Sequence, residues 1–509
     1  MNVHTESITS REMMALDLNA QYLGVSNVQL MENAGSAVAN EVARRFKKDA
    51  KVTVVCGTGG NGGDGMVTAR HLTSRGFHVD LILLGDPATI SRDDVRRNWD
   101  TLRLMPESVQ VTVVRDSALL PVIQGEVVVD ALLGTGARGV LRPPILEGVK
   151  AINKASGFKV AVDIPTGVDA DTGAVQGEAV KADITVTFHR AKKGLEQASQ
   201  LVGELIVADI GIPLEAERHV GPGDVLLATK PRLAETHKGD YGRVLVIGGS
   251  EDFHGAPTLA AMGAIRAGVD LVYVAVPEVV AHEVASLSPA LIVVKLKGRY
   301  LSPENIEVLK KWTARATAVV LGPGLGLEPE TSEAVRSVVE DVEGRNLPLL
   351  LDADGLKAFS EFRRPLRCPM VATPHAGEYA ILTGQKLTGS IEERVRHISE
   401  TAMTLGCVIV VKGAVDIISD GTRVKLNRFV HNPGMTVGGT GDVLSGVIGA
   451  LLSQGFEPFR AAAAGVFING AAGDFAIREK GYHLLPTDLL EWIPQVMNDP
   501  MSHISVRYP

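Results

Sequence analysis

The chain has 509 residues, 45% hydrophobic and 22% charged, an ordinary balance for a soluble globular protein and a length that allows about two or three domains. Its formal net charge of −8 argues against a nucleic-acid or anionic-membrane surface. The opening MNVHTESITSREMM lacks the basic-then-apolar order of a signal peptide, and no apolar run reaches the ~18 residues of a membrane span. A soluble cytoplasmic protein is expected, with small-molecule partners and neither nucleic acid nor membrane.

In chain order, Thr9-Ser10-Arg11-Glu12 has the form of a capping box and predicts a helix start; a second helix is predicted over Asn33–Arg45. Short β-branched runs then alternate with helical stretches: KVTVVCG, HVDLILLG, VQVTVV, EVVVDALLG, KVAVDIP, ITVTF and GELIVAD. Their length and composition mark buried strands, and the alternation implies a mostly parallel sheet with helices on both faces. The segment GIPLEAERHVGPGD, rich in Gly, Pro and charge, places a divide near residues 211–240. A second α/β series follows in GRVLVIGG, LVYVAVP, ALIVVKL, TAVVLGPG, LPLLLDAD, MVATPH and CVIVVKG, with helices predicted over Ala256–Ala267 and Thr331–Val339. GFEPFRAAAAGVFINGAAGDFAIREKG predicts a long helix ending at Gly481, and the tail after Pro500 reads as a frayed end. Cys56, Cys368 and Cys407 match no disulfide or zinc spacing, which fits small core residues in a reducing compartment.

Strand KVTVVCG runs into Thr58-Gly59-Gly60-Asn61-Gly62-Gly63-Asp64-Gly65, where six glycines from Gly57 to Gly65 free the backbone to approach a ligand. Asn61 and Asp64 add acceptors for hydroxyls or a cation. Gly57, Gly59 and Gly62 also match GxGxxG, with Asp80 about 20 residues on, so a dinucleotide-binding oxidoreductase is a competing reading. Gly134-Thr135-Gly136-Ala137-Arg138-Gly139 matches the same pattern nearby, which shows how little it discriminates. Asp130 and Asp163 each end a strand, where ligands of open α/β sheets gather; a cap or turn role is the alternative for either alone.

In the second half, Gly438-Gly439-Thr440-Gly441-Asp442 opens an apolar run that reads as a helix. Bare backbone N–H groups and a helix N-terminus suit an anion. Asp442 puts a carboxylate where negative charge is unwelcome, as expected of a base that deprotonates a nucleophile in phosphoryl transfer. Gly322-Pro323-Gly324-Leu325-Gly326, Asp352-Ala353-Asp354-Gly355, Thr373-Pro374-His375-Ala376-Gly377-Glu378 and Lys412-Gly413-Ala414 each follow a strand. Lys412 fits a phosphate partner or a solvated strand end, and His375 and Glu378 fit a helix cap as well as a ligand contact. No GxxxxGK[ST], HExxH, CxxC or GxSxG motif occurs. A small-molecule kinase with an N-terminal binding domain stays open on these residues.

The N-terminal half resembles the NAD(P)H-hydrate epimerase family through LMENAG at 30–35, CGTGGNGGDG at 56–65, VVDALLGTGARG at 128–139 and AVDIPTGVDAD at 161–171. The C-terminal half resembles the ADP-dependent NAD(P)H-hydrate dehydratase family through KGDYGRVLVIGGS at 238–250, GAP at 255–257, GPGLG at 322–326, TPHAGE at 373–378, KGA at 412–414 and GMTVGGTGD at 434–442. The resemblance implies an α/β chain with a Rossmann-like three-layer domain over residues 1–218 and a ribokinase-like domain over residues 225–503. It implies repair of hydrated nicotinamide cofactors: epimerisation of (R)- and (S)-NAD(P)HX at C6, and ADP-dependent dehydration of the S form to NAD(P)H, AMP and phosphate. ADP, Mg2+ and K+ are the expected cofactors, and a homo-oligomer the expected assembly.

By the same resemblance Gly60, Asn61, Gly62, Gly63 and Asp64, the loop Gly134, Thr135, Gly136, Ala137, Arg138, Gly139 and Val140, and Asp163 hold the epimerase substrate. Asn61, Asp130 and Thr166 map onto potassium ligands, and Asp163 is the candidate acid/base. Ala256, Gly326, His375 and Asp442 would meet the dehydratase substrate. Lys412, Gly413, Ala414, Val415, Asp416, Thr436, Val437, Gly438, Gly439, Thr440 and Gly441 would line the ADP site. Asp442 is the expected catalytic base. The family usually has two successive asparagines where this chain has Gly60-Asn61, and serine where it has Thr166, which keeps a hydroxyl.

Overall fold

A computed structural model describes residues 6–136 and 138–507; Ala137, expected in a substrate loop, lies outside the described residues. The chain forms two compact units, Met1–Pro213 and Leu214–Pro509.

The first unit is built on strands β1 (Lys51–Cys56), β2 (His78–Leu84), β3 (Val109–Val114), β4 (Val127–Ala131), β5 (Phe158–Val162), β6 (Ile184–Phe188) and β7 (Glu204–Ala208), in the order β3-β2-β1-β4-β5-β6-β7. Every pairing is parallel. The central strands β4 and β6 are buried along their whole length, which is why they read as unbroken apolar runs, while the edge strand β7 is largely open. The strand order reverses between β1 and β4, so the loops leaving them diverge and open a crevice at their carboxyl ends. The helix Ser10–Tyr22 carries the expected box: Thr9 N donates to Glu12 Oε2 at 2.8 Å and Glu12 N to Thr9 Oγ1 at 3.2 Å. The next helix begins earlier than predicted, at Asn27, because Ser26 and Gln29 form a second capping box.

The second unit holds β8 (Arg243–Ile247), β9 (Leu271–Pro277), β10 (Ile292–Leu296), β11 (Ala318–Leu321), β12 (Leu349–Leu351), β13 (Met370–Ala372), β14 (Val408–Val411), β15 (Asp416–Ser419) and β16 (Val424–Asn427), in the order β10-β9-β8-β11-β12-β13-β14-β15-β16. Pairing is parallel as far as β14 and antiparallel through β15 and β16. Neither β15 nor its edge neighbour β16 follows from the sequence; at four residues each, DIIS and VKLN are too short to show a strand pattern. The helix Leu214–Arg218, assigned to the first domain from sequence, belongs to this unit: just beyond it, Val220 N donates to Leu426 O on β16 at 2.9 Å.

Three helices back the strand ends that matter here: Gly255–Arg266, Thr440–Ser453 and the long Pro458–Lys480. The last stops at Gly481, whose φ of 63° follows the helix. As far as Arg507, the tail after Pro500 does not fray. Residues Pro500–Ser505 form a 3-10 turn, His503 is fully buried, and its Nε2 lies 2.9 Å from Asp474 Oδ2. A buried carboxylate gives that imidazole its partner, a pairing invisible in the composition of the tail. No described helix is long and apolar enough to cross a membrane.

Candidate active sites

In the first unit the glycine loop is as tight as its composition suggests. A Cβ on Gly62 would run into the Gly57 carbonyl, so β1 turns into the helix Gly60–Thr73 backbone against backbone. That turn delivers Asn61 across the crevice, where its Nδ2 donates to Leu133 O at 3.1 Å in the loop after β4. Thr166, after β5, joins them: Leu133 N donates to Thr166 Oγ1 at 3.1 Å. Asp130 lies beneath, fully buried, accepting from Thr166 N at 2.8 Å and Thr166 Oγ1 at 2.7 Å. Asn61, Asp130 and Thr166 therefore meet around Leu133. Burial pushes Asp130 up to about 6, against the hydrogen bonds from Thr166 and Leu132. A buried carboxylate beside the Thr166 hydroxyl, the Asn61 amide and the Leu133 carbonyl, with no cationic side chain bonded to it among the described residues, is a donor set that suits a hard monovalent cation.

Asp163 leaves β5 with φ at 64°, the left-handed region, which aspartate tolerates better than most residues. Its Oδ1 accepts from Lys192 Nζ at 2.6 Å and from Thr187 Oγ1 at 3.0 Å. Lys192 was not singled out from sequence; it follows β6, and only the placing of β6 beside β5 brings it to Asp163. Asp17, on the first helix, was missed too. Burial and then Asp163 raise Asp64 well above the carboxylate range, Arg92 opposing; burial pushes Asp17 to about 6, with Lys192 pulling it down and Asp163 adding to the rise. These acids thus share one electrostatic neighbourhood. The loop from Gly134 to Val140 starts beside Asn61, but Arg138 turns to Asp171 at 3.2 Å and Val140 is exposed.

In the second unit, the loops after β8 and β11 meet where the strand order reverses, Gly249 N donating to Pro323 O at 2.9 Å. Around them is a cleft of about 700 Å³ lined by Ser250, Tyr300, Gly326, Asp354 and Lys357, among others. Gly326 N donates to Asp354 Oδ2 at 3.0 Å, and the hydroxyl of buried Ser250 finds no partner among the described residues. Ala256 sits against Gly324 at the start of its helix.

Asp442 occupies the first turn of Thr440–Ser453, after Gly439 at φ 103°. Burial, then the carboxylates of Asp352, Glu378 and Asp354, push it up to about 7, against the pull of Lys412. Lys412 is no solvated strand end. Its Nζ donates to buried Asp352 at 2.9 Å and lies 3.4 Å from where a Cβ on Gly441 would be. Asp352 also accepts from Ser445 Oγ at 2.6 Å. Burial works against the charges of both partners, yet their pairing holds Asp352 below the carboxylate range and Lys412 above the ordinary ammonium value.

Other predicted residues serve the loops themselves. His375 caps its helix, Nδ1 accepting from Gly377 N at 3.0 Å while Glu378 Oε2 accepts from His375 N at 2.9 Å. It is also drawn beside Lys412, whose N donates to Pro374 O at 2.9 Å. Asp416 closes the turn after β14 by accepting from Gly413 N at 2.9 Å and from Asn427 Nδ2 at 2.8 Å, and Val415 packs on the core. Gly413 and Ala414 are exposed, as are Thr436 and Gly438; Val437 is half-buried. The Thr440 hydroxyl donates back to Met435 O at 2.9 Å, leaving the loop's backbone amides, not this side chain, for a ligand.

Two family models match: residues 27–194 the YjeF-related protein N-terminus, and residues 244–495 the NAD(P)H-hydrate dehydratase. The bifunctional NAD(P)H-hydrate repair enzyme of Hyperthermus butylicus is 43% identical over 502 residues, 98% of this chain and 93% of that protein. Its counterpart in Pyrobaculum aerophilum is 46% identical over 97% of this chain and 98% of its own length. The chain belongs to this family. Among solved structures, the ADP/ATP-dependent NAD(P)H-hydrate dehydratase of Bacillus subtilis, co-crystallized with ATP/Mg2+, is 28% identical with a TM-score of 0.46, over 54% of this chain and 96% of that one. The two family models fall one on each compact unit, so each unit of this NAD(P)H-hydrate repair family member carries one of the two candidate sites.

Proposed function

We propose that the two sites divide one repair between them. The first unit interconverts (R)- and (S)-NAD(P)HX at C6, and the second dehydrates the S form with ADP, giving NAD(P)H, AMP and phosphate. The observation that carries the dehydratase assignment is Asp442: a carboxylate pushed to about 7, in the first turn of a helix behind Gly438, Gly439 and Gly441. A base with that value is ionised in half the molecules near neutrality and still takes a proton readily.

Ionised Asp442 accepts the C6 hydroxyl proton as that oxygen attacks the β-phosphorus of ADP and the bond to AMP breaks. Backbone amides of Gly439 to Gly441 and the helix N-terminus stabilise the charge that develops on the transferring phosphoryl group. Lys412, fixed by Asp352, adds a cation beside the same loop. The C6–O bond then breaks with phosphate leaving, pushed by the ring nitrogen, and loss of a C5 proton restores the double bond. Ala256, Gly326 and the His375 ring border the space for the hydrated ring and its nucleotide. Mg2+ bound with the diphosphate would offset its charge.

In the first unit Asp163 is the acid/base that assists inversion at C6, with Lys192 holding its charge. The amides and side chains from Gly60 to Asp64 and the loop from Gly134 to Val140 bind the nucleotide. Asn61, Asp130 and Thr166 would hold K+, which supplies a fixed positive charge under the substrate loop. The same reading takes the protein as a cytoplasmic homo-oligomer, whose assembly sedimentation measures.

The test is a product balance on purified (S)-NADHX with ADP. Equal amounts of AMP, phosphate and NADH are expected. A phosphorylated nicotinamide product that accumulates would replace this reading with that of a kinase.

A further inference from the structure

Gly60 opens its helix without a side chain, and the space over it is taken by a residue from elsewhere. A Cβ at Gly60 would lie 2.9 Å from Arg92 Nη1 and 3.5 Å from Arg92 Cζ. Arg92 stands at the N-cap of the helix Asp93–Arg103, gives that helix no side-chain cap, and reaches across to the glycine loop instead. Asp94 holds it there: Arg92 Nε donates to Asp94 Oδ1 at 3.0 Å and Nη2 donates to Oδ2. Asp94 is itself buried and also accepts from Val95 N at 2.9 Å, so the anchor is rigid. The Arg92 side chain it anchors is 52% exposed.

Both bonds to Asp94 use the Nε and Nη2 edge of the fork; Nη1 is the atom turned to Gly60. The hydrogen bonds to Asp94, and the charges of Asp94, Asp64 and Asp17, hold Arg92 in its charged form against burial, beside first-turn amides of the helix Gly60–Thr73 that carry partial positive charge. A guanidinium edge and helix amides side by side offer an anion two adjoining sets of donors. Arg92 also pulls on Asp64 and Asp17, so it lies within electrostatic reach of the acids around the first site.

We propose that Arg92 is a substrate-binding residue of the first site, its guanidinium, seated in the space that glycine at position 60 leaves open, taking a phosphate of the hydrated nicotinamide nucleotide. The proposal rests on the epimerase reading of that site. Gly60 and Arg92 then act as a pair: a side chain at 60 displaces the guanidinium, and glycine at 60 without the arginine leaves the phosphate one partner short.

The experiment measures epimerisation by the full chain without ADP, resolving the two epimers by chromatography. The substrates are (R)-NADHX and a hydrated dihydronicotinamide riboside that has no phosphate. Arg92→Gln keeps the length and a donor but loses the charge. It is expected to raise KM for (R)-NADHX about tenfold or more, the loss of one charge-assisted bond, with little change in kcat. The phosphate-free riboside should be turned over as by the wild type. Gly60→Asn should raise KM similarly, and add little in the Arg92→Gln background. Wild-type turnover of the riboside shows that the first unit is folded, and unchanged dehydration of (S)-NADHX shows the same for the second. Equal losses on both substrates, or none on either, would overturn the role of Arg92 while leaving the epimerase. A wild type that dehydrates but never epimerises would remove the epimerase reading and Arg92's role with it.

Discussion

Lys192 and Asp163 meet at 2.6 Å inside the first unit, with the Lys192 side chain only 1% exposed. They leave adjacent parallel strands, β6 and β5, at the same sheet edge. A lone ammonium so deeply buried would be costly; here Asp163, Thr187 Oγ1 and the Phe188 carbonyl at 3.0 Å satisfy it.

Lys192→Met leaves the Asp163 carboxylate without its counterion. Epimerisation is expected to fall at least ~100-fold, the lower end of what a positioned acid/base supplies. The first unit should also lose about 3–5 kcal/mol, as when one partner of a buried pair is removed. Chemical unfolding of the full chain, with dehydratase activity as the reference for the second unit, reads both effects.

For dehydration the acid limb of kcat/KM should bend near pH 7, where Asp442 titrates. The base must be ionised, so activity falls as pH drops through 7 and levels off above it. A profile flat down to pH 5 would remove Asp442 from the proton transfer.

Asp442→Asn should slow dehydration about 10²–10⁴-fold without harming the fold. The stability effect has a definite sign. The folded carboxyl titrates at about 7, above its unfolded value, so the native state holds its proton more tightly and ionisation destabilises it as pH rises. The asparagine variant should therefore melt higher than the wild type above pH 7, with the advantage shrinking as pH falls from 7 towards 4. Melting curves at pH 5 and pH 8 check this.

Lys412→Met should raise KM for ADP about tenfold or more and destabilise the second unit, since Asp352 is left charged and buried. Adding Asp352→Asn should restore stability but not ADP affinity. If the double variant regains both, Lys412 serves only the fold.

Replacing K+ by a bulky organic cation should lower both epimerase rate and melting temperature. At ~100 times its Kd, K+ would contribute about 2.7 kcal/mol. Asp130→Asn should abolish the response, because it removes the buried carboxylate on which Thr166 N and Oγ1 converge.

Much of this was legible in sequence because parallel strands buried on both faces leave plain apolar runs: each predicted run from KVTVVCG to CVIVVKG holds a strand. Glycine loops and the carboxylates beside them mark the strand ends for the same reason. What escaped depends on pairing at a distance. Lys192, Asp17 and Arg92 carry no local pattern; only the strand order and the helix placement bring them to Asp163, Asp64 and Gly60. The hairpin β15–β16 escaped because an edge needs no long apolar run, and the tail because His503 pairs with Asp474, 29 residues away. His375 shows the reverse, a ligand candidate that also proves to be a helix cap.

The most direct measurement mixes the purified chain with hydrated NADH as an R/S mixture, ADP and magnesium, and follows the reduced-nicotinamide absorbance. Full recovery, faster than spontaneous epimerisation, is expected from one chain carrying both activities. Recovery that stops once the S form is consumed would contradict an active first site, and no recovery with either ADP or ATP would contradict the repair function itself.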